Sequence, residues 1–152
     1  MKPLQRLEQL ILTLWVGSQL AIGYLAVPVL FHQLDDRQLA GELAGQMFRW
    51  VYDLGLVCGL FLLMSVFYSS RHTFHKQWRH YVVLAMLLLI VMGLFVLQPQ
   101  MAAIKLQPGW YEQTELMSRF GRLHGISSVL YLLTSALGVV LVVKGLRDQA
   151  SD

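Results

Sequence analysis

Four long stretches of the sequence contain no Asp, Glu, Lys or Arg, and they constrain the fold more than any other feature. They cover residues 9–34, 54–70, 81–104 and 123–143. A helix that crosses the roughly 30 Å hydrocarbon core of a bilayer needs about 20 such residues. The second stretch is short, and it reaches this length when residues 50–52 are added across Asp53. Because the runs are continuous rather than alternating, they predict helices and not barrel strands.

The composition agrees with a membrane protein. Hydrophobic residues make up 56% of the chain, charged residues make up 14%, and the mean hydropathy is +0.53. Soluble domains carry about 25% charged residues, since a small globule must cover its surface with polar groups. We therefore predict one transmembrane domain over residues 1–152, an all-α four-helix bundle with up-down topology. The predicted spans are about 9–31, 50–69, 81–99 and 123–143.

The basic residues predict how the chain is oriented. The twelve Lys and Arg residues are scattered rather than gathered on one face, which favours contact with membrane lipid and argues against nucleic acid. Seven of them fall in the N-terminus, the second loop and the C-terminal tail, and five fall in the first and third loops. The richer side of a membrane protein is usually cytoplasmic. We therefore expect the protein in the inner membrane of a bacterium, with both chain ends in the cytoplasm.

Glycines at helical spacing predict where the helices pack. Helices in lipid associate through close backbone approach, which small residues permit. The second helix is expected to begin near Arg37, beyond the membrane, and to carry four glycines on one face. The predicted packing glycines are Gly17, Gly41, Gly45, Gly55, Gly59, Gly121 and Gly125. Such faces also leave open a homo-oligomer or a partner membrane protein.

Two prolines predict the structure between the third and fourth helices. Pro99 is expected to end or kink the third helix, because proline lacks the backbone N–H and clashes with the preceding turn. Pro108 and Gly109 predict a turn before the fourth helix.

Polar residues from several helices are predicted to meet at the non-cytoplasmic end, around a small outward-facing cavity. Ionisable groups inside a membrane edge are costly and are usually partnered or functional. The predicted cluster is Arg49, Asp53, Arg119, Arg122 and His124. Arg49 and Asp53 are four residues apart and can form an ion pair on one helix face. The cluster is either a structural network that fixes helix order or a ligand site.

Histidine raises the alternative of a metal or haem site. His124 and His32 both fall at the non-cytoplasmic end, and imidazole is a common ligand of haem iron and copper. His72, His75 and His80 lie in the basic second loop, where a metal clamp and an interfacial loop touching acidic lipid both remain open. The single Cys58 excludes an intrachain disulfide and a multi-cysteine metal site.

The chain resembles a known family. The resemblance is carried by Trp15-Val-Gly17, by Pro28 before Leu30-Phe31, by Gly41 and Gly45 before Phe48, and most specifically by Phe120-Gly-x-x-His124-Gly-x-Ser127. These residues are similar to the family catalogued as domain of unknown function 4149, which includes the transmembrane-protein-205-like proteins, over about residues 7–144. The resemblance implies a four-span inner-membrane protein. It also implies a distant similarity to copper-resistance protein D and to HemJ-type haem proteins, with His124 as the residue to carry over as a ligand.

Three functions therefore remain open. The chain is expected to be a non-enzymatic membrane protein whose polar cluster binds a small ligand or a metal, since no nucleotide-binding glycine loop or catalytic triad pattern is present. The alternatives are a haem- or copper-binding redox protein and an accessory subunit that packs on another membrane protein.

The charge distribution predicts that both chain ends face the cytoplasm. Fusions of a periplasm-active phosphatase and a cytoplasm-active fluorescent reporter to either end should give activity only for the fluorescent partner. Phosphatase activity at one end alone would mean an odd number of spans.

Overall fold

The computed structural model describes residues 3–69 and 78–146, and both segments are almost wholly helical. The helices are α1 (Pro3–Gln33), α2 (Arg37–Ser69), α3 (Trp78–Lys105) and α4 (Thr114–Lys144). All four are long and apolar enough to cross a membrane. This confirms the all-α four-helix bundle, and α2 begins well before its apolar run, as predicted.

Two of the helices widen into a π turn just before a proline. In α1 the π turn covers Ile22–Ala26 and Pro28 follows it, and in α3 the π turn covers Met92–Leu97 and Pro99 follows it. Proline has no N–H to donate and crowds the carbonyl of the preceding turn, and a single π turn is a common place for such a change in hydrogen bonding. The sequence predicts that Pro99 ends or kinks the third helix, and the first of these alternatives is wrong because α3 continues to Lys105.

The two short connections lie at one end of the bundle, which we call the loop end. Asp36 precedes α2, and its Oδ1 accepts hydrogen bonds from the backbone N–H of Gln38 (2.9 Å) and of Leu39 (3.1 Å). This satisfies two of the four N–H groups that a helix start leaves without partners. Pro108 and Gly109 form a turn before α4 as predicted, and Gly109 adopts φ +67°, a backbone conformation that favours glycine.

At the opposite end, which we call the terminal end, the helices form a closed ring. Each helix contacts its neighbours in the order α1, α2, α3, α4 and back to α1. The core between them contains fully buried side chains from every helix: Leu12, Trp15, Leu62, Met86, Ile90 and Leu141.

Beyond the π turns the four helices separate into two pairs. The part of α1 after its π turn packs on α2, and the part of α3 after its π turn packs on α4. Close backbone approaches between the two pairs are few at this level. A cleft between the pairs therefore opens toward the loop end.

The outer surface of the bundle is apolar. Large hydrophobic side chains such as Leu14 (59% exposed), Val57 (68%) and Met64 (71%) point away from the core along the spans. A monomeric soluble protein rarely exposes apolar surface on this scale. The chain is a multi-pass membrane protein.

Replacement of Gly55 by Ala should destabilise the ring of helices. A Cβ at Gly55 would lie 2.6 Å from Nε1 of the fully buried Trp15 and 2.8 Å from Cδ1 of Ile90, so both side chains would have to move. Overpacking of this kind costs about 1–3 kcal/mol. The matched control is Gly17→Ala, because a Cβ there meets no atom of the described residues within 4 Å. SDS titration in mixed micelles, followed by tryptophan fluorescence, should show unfolding of Gly55→Ala at a lower SDS fraction than Gly17→Ala. Equal midpoints would contradict the close packing.

Candidate functional site

The candidate site is the cleft at the loop end, with a volume of about 1400 Å³. All four helices line it. The lining residues fall within 23–31 of α1, 37–53 of α2, 98–110 of α3 and its following loop, and 120–132 of α4. The cleft therefore extends from the predicted membrane boundary to about the level of the two π turns.

An aromatic cluster forms the floor of the cleft, and Tyr131 is at its centre. The Tyr131 ring meets Phe48 edge to face, with centroids 5.0 Å apart and planes inclined by 81°. Its centroid also lies 6.2 Å from that of Tyr52 and 6.1 Å from that of Tyr24. Such tilted pairs are favoured because the positive ring edge meets the negative face. The floor is thus a packed aromatic surface shared by α1, α2 and α4.

Each π turn contributes a glycine that receives one of these tyrosines. The ring of Tyr131 lies where a Cβ of Gly23 would be, and the Tyr52 ring lies 3.0 Å from the Cβ position of Gly93. A side chain at either glycine would collide with the facing ring. The π turns of α1 and α3 therefore bring α4 and α2, respectively, into close contact at the floor.

Hydrogen bonds hold Tyr131 in this position. Its hydroxyl donates to the backbone carbonyl of Gln19. The Gln19 side chain in turn donates from Nε2 to Ser135 Oγ at 3.0 Å and to the Tyr131 carbonyl at 3.4 Å. Gln19, Tyr131 and Ser135 are all buried, so their polar groups are satisfied by one another between α1 and α4.

Charged residues line the cleft from beside the floor to its mouth. Arg49 Nε lies 3.3 Å from Asp53 Oδ2, the pair expected from their spacing. Arg37 Nη1 donates to the Phe31 carbonyl at 2.8 Å, and Lys105 Nζ donates to the Gly41 carbonyl at 3.1 Å.

A stack of rings closes one side of the mouth. Trp110, in the loop after α3, lies 4.9 Å from Phe120 between ring centroids, and Phe120 stacks on His124 at 5.9 Å with planes inclined by only 8°. The ammonium of Lys105 is 5.5 Å from the Phe120 centroid, within the range of a cation–π contact.

The predicted polar cluster is divided by the structure. Arg49, Asp53 and His124 line the cleft. Arg119 is exposed and does not line it, and Arg122 lines a separate shallow depression formed by α4 residues. These positions leave the functional role of the cluster a prediction.

The predicted haem or copper ligands are not brought together in the cleft. His124 is the only histidine in the lining among the described residues, and His32 is exposed outside it. No three His, Cys, Asp or Glu side chains in residues 3–69 and 78–146 are placed to hold a metal ion. The haem or copper hypothesis therefore retains one candidate ligand. His72 and His75 lie outside the described residues, and His80 is buried.

The predicted packing glycines have different surroundings. Gly55 and Gly59 lie against Trp15 and Leu87, whereas Gly41 and Gly45 line the cleft. At Gly17, Gly121 and Gly125 a Cβ would meet no described atom within 4 Å.

Sequence reasoning missed residues of the cleft and other buried or tightly packed residues. Lys105 and Trp110 are absent from the predicted site, because both follow the third apolar run, where the sequence predicts a loop. Sequence reasoning also missed Gly23, Gly93 and Gly138, which are single rather than paired at helical spacing but are tightly packed. A further missed residue is Glu8, which is 1% exposed at the terminal end and accepts a 2.6 Å hydrogen bond from Ser65 Oγ.

Comparison with known families identifies the chain. The family model described as Domain of unknown function (DUF4149) matches residues 10–109, about two thirds of the sequence. The chain belongs to the DUF4149 family. The matched region of this DUF4149 protein contains α2, α3 and most of α1, and it ends before Phe120–Ser127, so the resemblance expected over residues 7–144 is borne out over a shorter range. Searches of curated proteins and of solved structures found no match.

Removal of the Tyr131 hydroxyl should weaken the contact between α1 and α4. Tyr131→Phe keeps the aromatic contacts and leaves the Gln19 carbonyl without this donor, at a cost of about 1 kcal/mol. Tyr24→Phe is the control, because Tyr24 belongs to the same aromatic cluster but is 49% exposed. The SDS midpoint should fall for Tyr131→Phe and stay near the wild-type value for Tyr24→Phe. A wild-type midpoint for Tyr131→Phe would show that this hydrogen bond contributes nothing.

Proposed function

We propose that this DUF4149 protein is a non-enzymatic membrane protein whose loop-end cleft binds an amphipathic molecule from the bilayer. The observation that carries the proposal is the separation of the helices into two pairs beyond the π turns. Since the bundle is surrounded by lipid, a cleft between helix pairs gives a molecule in the membrane a path from the side.

The size of the cleft supports a large occupant. Pockets for small ligands typically enclose about 300–1,000 Å³. The cleft, at about 1400 Å³, exceeds that range. A molecule with a head group and a hydrocarbon chain would use this volume better than a metal ion or a small solute.

The distribution of polarity also supports an amphipathic occupant. Phe48 and Tyr131 provide an apolar surface at the floor, whereas Arg37, Glu42 and Lys105 are at the mouth. Hydrocarbon would contact the rings, and a polar head would stay near the charged residues. Trp110, in the loop after α3, would lie at the level of the polar head group. Tryptophan is favoured at this level, the interface between membrane and water.

Binding is favoured over catalysis by the hydrogen bonds in the lining. Hydrolytic nucleophiles are activated by a base within hydrogen-bond reach. Ser128, one turn from His124, donates its hydroxyl to the His124 backbone carbonyl at 2.9 Å rather than to the imidazole. The hydroxyl proton of Ser128 is therefore held in a hydrogen bond to the backbone of α4.

We place the mouth of the cleft on the non-cytoplasmic face of the membrane, and we infer a bacterial inner membrane as its location. The segments between the apolar runs at this end contain five Lys and Arg residues, against seven at the terminal end. The asymmetry supports a cytoplasmic terminal end. The occupant would then be taken from the outer leaflet of that membrane.

Filling the cleft should abolish retention of the amphipath. Gly41 and Gly45 line the cleft one helical turn apart, and a Cβ at Gly41 meets no described atom within 4 Å. A Cβ at Gly45 lies 3.8 Å from Lys105 Nζ, an ordinary contact distance, so Gly41→Trp/Gly45→Trp should fold while its indoles block the cleft beside Lys105. Native mass spectrometry from mild detergent supplemented with synthetic phospholipids should show one retained lipid on the wild type and none on this variant.

The control is Gly17→Trp/Gly121→Trp, which places two indoles at open glycines outside the cleft. It should retain lipid as the wild type does. Loss of lipid from both double variants, or from neither, would refute the cleft as the binding site. A wild type that retains no phospholipid of any class would refute the proposed function itself.

A further inference from the structure

The lining of the cleft carries an excess of positive charge. Its cations are Arg37, Arg49 and Lys105, and its carboxylates are Glu42 and Asp53, which leaves one net positive charge with His124 neutral. A charge at the edge of a membrane is costly unless a partner compensates it. The contacts of the three cations show which of them lacks a compensating negative charge.

Two of the cations have local partners. Arg49 is paired with Asp53 on the same helix face at 3.3 Å. Arg37 donates to the carbonyl of Phe31 at the end of α1, where a cation is favoured by the helix dipole. Both side chains are exposed, and their contacts lie within α2 or between α2 and the end of α1.

Lys105 differs from both in its burial, because it is partly buried whereas Arg37 and Arg49 are exposed. Its ammonium has three donors, of which one reaches the Gly41 carbonyl, and it also lies over the face of Phe120. No carboxylate among the described residues lies within ion-pair distance of it, and Glu42 acts on it only from farther away. Arg37 also has no carboxylate in contact, but it is exposed, so among the described residues Lys105 is the partly buried cation of the cleft that lacks an anion in contact.

The position of Lys105 suits it to contact a ligand in the cleft. It ends α3, and its side chain crosses the mouth to reach α2, so the ammonium bridges the two helix pairs. Phe120 limits it on the α4 side at 5.5 Å. The ammonium is therefore held over the cleft, above the aromatic floor.

We infer that the occupant is an anionic phospholipid whose phosphodiester is bound by Lys105. A phosphatidylglycerol head carries one negative charge and would neutralise the one excess positive charge of the lining, and its phosphate oxygens are acceptors for the two remaining ammonium donors. The acyl chains would descend between the helix pairs toward Phe48 and Tyr131. This inference rests on the proposed function and adds the charge of the head group to it.

The test is competition between lipids that differ only in their heads. Full-length protein in mild detergent is mixed with equimolar phosphatidylglycerol and phosphatidylcholine of identical chains, and retained lipid is identified by native mass spectrometry. We expect about tenfold more phosphatidylglycerol than phosphatidylcholine on the wild type, the ratio produced by one charge-assisted contact. Lys105→Gln keeps a donor for Gly41 and should retain both lipids equally, whereas Lys105→Arg should keep the preference.

The matched control is Lys144→Gln, which removes a lysine at the opposite end, where Nζ lies 5.7 Å from the Trp78 ring centroid. Its preference should equal that of the wild type. Equal retention of the two lipids by the wild type, or an unchanged preference in Lys105→Gln, would overturn the inference while leaving amphipath binding intact. Absence of any retained lipid would instead refute the proposed function. The wild-type ratio alone decides the charge preference if Lys105→Gln does not yield folded protein.

Discussion

The structure depends on the need to satisfy every backbone N–H and C=O group inside a medium that offers no water. The four apolar segments meet this need as helices, and two of them must do so despite a proline within the helix. In α1 and α3 the π turn next to the proline allows the helix to continue past Pro28 and Pro99 rather than to end there. Because the bundle separates beyond those turns, the same constraint that produces the helices also determines where the cleft begins.

Close packing at the terminal end is what allows the loop end to open. Lipid tails are as apolar as leucine, so burial of leucine against leucine gives helices little reason to associate, and shape complementarity must hold them together. Trp15 against Gly55, Leu87 against Gly59 and Val16 against Gly138 provide that complementarity in the ring. The tyrosines that enter the π-turn glycines Gly23 and Gly93 complete it at the floor of the cleft. The contacts above the floor can then be sparse without loss of the bundle.

The arrangement of the helices determines the surroundings of the charged residues in the cleft. An arginine paired with an aspartate on one helix face, as with Arg49 and Asp53, is common at the surface of proteins and contributes little on its own. Lys105 is different because it crosses between helix pairs and ends near an aromatic ring and a backbone carbonyl, without an anion in contact. Charge, volume and the separation of the helix pairs support our proposal of an amphipathic anion over a metal or haem, for which the described lining offers one imidazole.

The sequence by itself determined the features that depend on local spacing. Apolar run length predicted four helices, the four-residue separation of Arg49 and Asp53 predicted their pair, and Pro108-Gly109 predicted the turn before α4. The tertiary structure decided which residues share an environment. Gly41, Gly45, Gly55 and Gly59 lie on one face of α2 by helical periodicity, yet the last two are packed against the ring and the first two line a cleft. The distance from a helix face to its neighbour is set by the path of the other helices, and here that path changes at π turns that no local pattern in α2 can reveal.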